Sequence, residues 1–138
     1  PKEDGYLGYV PRHTDWTGDF EAFRASNPNG VQFNIEPAGV ALMKELAEIG
    51  RREGIKTLFV YSPVYHEMQA LEQNRQDVLR AFQEIADPNG IPLWDYSDST
   101  ICRDKVNFYN SQHLNAAGSA SFSRELAIRI SESRILDH

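Results

Sequence analysis

Ile55-Lys56-Thr57-Leu58-Phe59-Val60-Tyr61 is a short β-branched and aromatic run, stopped by Ser62-Pro63, and its reading decides the fold. An apolar run of this length, without polar alternation, is how a strand of a parallel sheet buried on both faces reads. Helical periodicity flanks it on each side. Upstream, Pro37 suits the first turn of a helix, where its missing N–H costs nothing. Leu42, Leu46 and Ile49 then share one face, with Met43 and Ala47 beside them, and Gly50 or Gly54 ends the helix. Downstream, Leu71, Val78, Phe82 and Ile85 mark the apolar stripe of a second helix running from Ala70 to Ala86, which Asp87-Pro88-Asn89-Gly90 terminates.

Ile91-Pro92-Leu93-Trp94-Asp95-Tyr96 reads as a second strand, with Pro92 near its beginning. A polar loop to Leu114 leads to a last helix, with Asn115 as N-cap and Phe122, Leu126 and Ile130 as its core face. The order helix–strand–helix–strand–loop–helix predicts an α/β fold, a mostly parallel sheet with flanking helices in three layers. Two strands make a poor parallel sheet, so residues 38–138 read as the C-terminal part of a larger domain. Residues 1–37, rich in Gly, Pro, Asn and aromatics, read as an irregular segment. Within it, Tyr6 to Val10 suggests a short strand or hairpin arm, Asp15 to Arg24 a helical turn, and Ser26-Asn27-Pro28-Asn29-Gly30 a tight turn.

The charge sum is 14 basic against 20 acidic residues, a net of −6. Without a Lys/Arg cluster, this gives no electrostatic footprint for nucleic acid. The apolar runs are too short to span a membrane. The single Cys102 excludes an intramolecular disulfide framework and a Cys-based zinc site. The chain opens at Pro1 with neither an initiator Met nor an apolar targeting segment, as if a leader were removed or the sequence belonged to something longer.

In open α/β sheets, ligands gather at the carboxyl ends of the strands. Those ends here carry Ser62 and His66 after the first strand, and Asp95, Ser97 and Asp98 at the second. His113, two residues before the last helix's N-cap, is placed rigidly yet near the surface, as a general base requires. Asp95 and Asp98 are candidates to supply it with a carboxylate, or else they cap a solvated turn. His66, Asp95 and His113 lack metal-ligand spacing, so neither metal nor cofactor is expected. Tyr6, Tyr9 and Trp16 offer either a carbohydrate-stacking surface or, better, aromatic packing over a sheet edge. Met43 and Met68 read as gap fillers.

Phe108-Tyr109-Asn110-Ser111-Gln112-His113-Leu114-Asn115-Ala116-Ala117-Gly118 resembles the C-terminal motif of the SGNH (GDSL-type) hydrolases, Asp-x-x-His-Leu-Asn-x-x-Gly leading into the final helix. The likeness spans roughly residues 38–130 and is closest in flavour to extracytoplasmic proteins of polysaccharide O-acetylation or teichoic-acid D-alanylation. It implies acyl or acetyl ester chemistry on a carbohydrate or small ester, with His113 as base, an extracytoplasmic setting and a membrane-bound acyltransferase as partner. Two departures stand out. Asn110 occupies the place of the orienting Asp, a change that costs roughly 10⁴-fold in rate in serine-protease triads. The family's Gly-Asp-Ser nucleophile motif is absent, since Gly18-Asp19 is followed by Phe20. The expectation is therefore part of an esterase or acyltransferase, completed by a nucleophile outside these residues. The alternative is a non-catalytic accessory or carbohydrate-binding domain with a degraded triad. A flavodoxin-like cofactor domain fits the layer order, but no Gly-rich phosphate loop follows either strand.

Overall fold

A computed structural model describes residues 9–135. The helix expected after Pro37 forms as α2 (Pro37–Arg52), with Pro37 in its first turn. The strand after it shortens to β1 (Phe59–Tyr61), which pairs in parallel with β2 (Leu93–Asp95) in the register Phe59↔Leu93, Val60↔Trp94 and Tyr61↔Asp95. A helical crossover joins them, as parallel pairing demands. The molecule is therefore mixed α/β, but its parallel sheet has two strands among the described residues rather than a broad three-layer array. A second pair, β3 (Phe108–Asn110) and β4 (His113–Leu114), is antiparallel and irregular at its turn.

The expected single helix over Ala70–Ala86 is broken. It divides into α3 (His66–Leu71) and α4 (Arg75–Ala86). Between them the chain pairs with Val31: Val31 N–H donates to Leu71 O at 2.8 Å and Gln73 N–H to Val31 O at 2.9 Å. Gly30 makes this joint feasible, because it holds φ at +77° and a Cβ there would lie 2.5 Å from Leu71 O.

The face of α2 also differs from expectation. Ala47 and Gly50 are buried, with Val40 and Met43 packed beside them, while Leu42 and Leu46 are 61% and 63% exposed. Gly50 lets the helix close on the segment before β1, where a Cβ would sit 2.9 Å from Thr57 Oγ1. That close seat rotates the two leucines outward.

The core lies in two clusters. One joins Ala47, Ile85, Ala86 and Ile91. The other joins Phe20, Tyr65, Met68, Ile101 and Phe108, with Trp16 packed against it. Trp16 meets Tyr65 edge to face at 5.0 Å, so the N-terminal segment is pinned into the core through its aromatics. Of the hairpin arm read at Tyr6–Val10, Tyr6 to Gly8 lie outside the described residues; Tyr9 is exposed. The helical turn near Asp15–Arg24 appears as α1 (Phe20–Ser26). Among the described residues no helix is long and apolar enough to cross a membrane.

Candidate functional site

The last helix, α5 (Ala116–Ser133), begins where capping chemistry places it. Asn115 Oδ1 accepts from Gly118 N–H at 3.0 Å, while its amide donates to Val106 O at 2.7 Å and Phe108 O at 3.3 Å. Gly118 sits against the backbone of Asn107, and a Cβ there would lie 2.0 Å from Asn107 O. Asn115 and Gly118 are buried, and Leu114 packs on the core. Most of the motif thus builds a joint between β3 and α5. His113 does not take part in that packing, because it is exposed at the joint's outer edge.

The Ser111-Gln112 turn brings Asn110 opposite His113. Asn110 Oδ1 accepts the backbone N–H of Gln112 at 3.1 Å and of His113 at 2.9 Å, an Asx turn. Two backbone donors require the oxygen, not the amide nitrogen, to face inward. The same oxygen lies 2.9 Å from His113 Nδ1. An amide oxygen only accepts, so Nδ1 carries the proton and the neutral ring keeps its lone pair on Nε2. Asn110 therefore imposes the tautomer that an orienting Asp would impose. It lacks the charge that would stabilise the imidazolium. Tyr109 stacks on the same imidazole, with ring centres 5.5 Å apart and planes 19° from parallel.

The other sequence-selected residues fall elsewhere. Asp95 accepts from Arg75 Nη2 at 3.1 Å and from Ser97 N–H at 2.9 Å, and the Ser97 hydroxyl also donates to it. Asp98 is exposed in the turn after β2. The ring partners of His113 among the described residues are thus Asn110 and Tyr109 rather than either carboxylate. His66 Nδ1–H donates to Cys102 O at 3.2 Å, so His66, Asp95 and His113 each have different partners. Cys102 is buried, and burial pushes its thiol up. Among the described residues no group of three His, Cys, Asp or Glu side chains is placed to hold a metal.

Ser62 is exposed, at the lip of an apolar groove of about 400 Å³ along β1, with Met43, Val60 and Phe82 in its walls. A second groove, about 380 Å³, passes Asn110, Ser111 and Gln112 over a floor of Phe20 and Met68. Sequence reasoning missed Arg12, whose guanidinium lies 5.6 Å from the centre of the Tyr109 ring. No local pattern marks it, because it reaches the site through a bond from Ala116 N–H to its own carbonyl at 2.7 Å. Compared with protein-family models, curated proteins and solved structures, the chain matches none.

Proposed function

We propose that His113 is the general base of an acyl or acetyl ester site of the SGNH type, acting in hydrolysis or O-acyl transfer on a carbohydrate or small ester. One observation carries this reading: Asn110 Oδ1, fixed by two backbone N–H donors, favours the Nδ1–H tautomer, and Nε2 of the exposed ring has no partner among the described residues. A base must offer a lone pair to the proton it takes, and a ring serving only the fold would have its nitrogens spent on local backbone. The attacking serine is not among these residues in the family's motif. In this proposal it comes from a strand laid along the edge of β1 that no described strand pairs, over the groove edged by Ser62. That added strand would widen the parallel pair into the three-layer sheet. His113 would take the seryl proton through Nε2 and return it to the leaving alcohol, while Asn110 holds the ring. Asn110 also favours a second reading, an accessory carbohydrate-binding domain, because an amide cannot stabilise the imidazolium.

The 138-residue chain should turn over p-nitrophenyl acetate at no more than a trace above buffer. Robust hydrolysis abolished by Ser62→Ala or Ser97→Ala would place the nucleophile inside the chain and overturn this part of the proposal. With the seryl nucleophile supplied, His113→Ala should cut ester turnover by about 10²–10⁴-fold without shifting the melting temperature. Asn110→Asp should raise the rate. Retained activity in His113→Ala with a lowered melting temperature contradicts the reading, and no turnover in any combination favours the binding domain.

A further inference from the structure

We infer that Arg12, laid on Tyr109 beside His113, is the recognition point for an anionic oxyacid group, carboxylate or phosphate, on the ligand of this site. The inference rests on the reading of His113 for where the reacting group lies, and on Arg12 alone for the charge. Both ends of the segment carrying Arg12 are clamped to the site's own joint. Ala116 N–H donates to Arg12 O at 2.7 Å, and Thr17 N–H donates to Tyr109 O at 3.0 Å. Its guanidinium lies over the Tyr109 ring, which in turn stacks on His113. The cation and the imidazole thus both contact the Tyr109 ring.

What distinguishes Arg12 is its place over a ring of the site together with the lack of a carboxylate partner among the described residues. Arg24, Arg75 and Lys105 also lie over aromatic rings, and each meets a carboxylate, from Glu67, Asp95 and Glu21 respectively. Arg129 lies over Trp94 and Tyr96 without a carboxylate, but on α5 and on neither ring of the site. Arg12 is exposed and has no carboxylate partner among the described residues. A guanidinium lying over a ring keeps its N–H edge available, and that planar fork matches two oxygens of a carboxylate or phosphate. The chain carries a net charge of −6, which repels acidic ligands at long range. A cation without a carboxylate partner among the described residues, over the ring that stacks on the candidate base, therefore has a specific use.

The test follows the ring signals of Tyr109 and His113 by NMR while the whole chain is titrated with matched probes. Galacturonic acid is compared with its neutral methyl ester, and glycerol 3-phosphate with glycerol. The expected result is saturable binding of at least one acid, stronger than that of its neutral partner. It should weaken about fivefold or more in Arg12→Gln, and partially in Arg12→Lys, which keeps the charge but not the fork. Which acid binds identifies the source of the anionic group. Equal response to acid and neutral partner, no response to either acid, or binding unchanged in Arg12→Gln overturns the inference. Arg75 is already engaged by Asp95 and Ser97, so Arg75→Gln should leave the titration unchanged; loss of binding there instead of in Arg12→Gln also overturns it. Acid binding should survive in His113→Ala, so failure of the catalytic reading and failure of the anion site give different outcomes.

Discussion

Gly118 has no room for a side chain, and a methyl group there would collide with the carbonyl of Asn107. The obstacle is backbone, so the helix or the loop must move. Gly118→Ala should cost about 3 kcal/mol, read from the denaturant midpoint, and should disorder the turn that holds His113. A change below about 0.5 kcal/mol would mean that the joint is looser than described. Glu72 presents a different residue-scale problem. It is buried, one carboxylate oxygen lacks a hydrogen-bond partner, and burial raises its pKa against the pull of Arg75 and Tyr61. The folded chain therefore holds this proton more tightly than the unfolded chain. The resulting stabilisation is full below the unfolded pKa and is lost as pH rises through the higher folded value. Glu72→Gln removes the charge while keeping the shape. It should raise the melting temperature at about pH 7, and the gain should vanish at about pH 4; a variant less stable at neutral pH contradicts this account.

At the scale of elements, α2 chooses between two apolar faces. Leu42, Leu46 and Ile49 make the larger stripe, but Ala47 and Gly50 allow the closer approach, and the structure takes the latter. Leu42→Gln combined with Leu46→Gln should therefore shift stability by no more than about 1 kcal/mol in chemical denaturation, whereas core leucines would cost several. What the sequence made legible at this scale is what local rules govern. The start of α2 at Pro37, the Asn115 cap of α5 and the parallel pairing of β1 with β2 follow from φ restriction, capping and crossover length. The break between α3 and α4 was not legible, because it depends on Val31, remote in sequence, reaching Leu71 and Gln73. The same contrast holds at the site. Asn110 and His113 lie three residues apart and were readable together, whereas Arg12 arrives through a tertiary bond that no periodicity encodes.

Across the described residues, a short parallel pair, an apolar groove along β1 and an exposed imidazole held by the Asn110 amide oxygen are the features on which the proposed ester chemistry rests. The two cores divide the labour. The Ala47–Ile91 cluster seats α2 and α4 against the parallel pair, and the Phe20–Phe108 cluster supports the β3–α5 joint under His113. That close-packed joint fixes the Asn110 amide opposite the ring, and the central claim is that this amide, without charge, sets the tautomer. This central claim is tested most directly by the nitrogen shifts of the His113 imidazole, measured by ¹⁵N NMR on the intact chain at a pH where the ring is neutral. The account predicts a protonated Nδ1 and a bare Nε2, with the preference lost in Asn110→Ala. A neutral ring protonated mainly at Nε2, or one unaffected by Asn110→Ala, would contradict it.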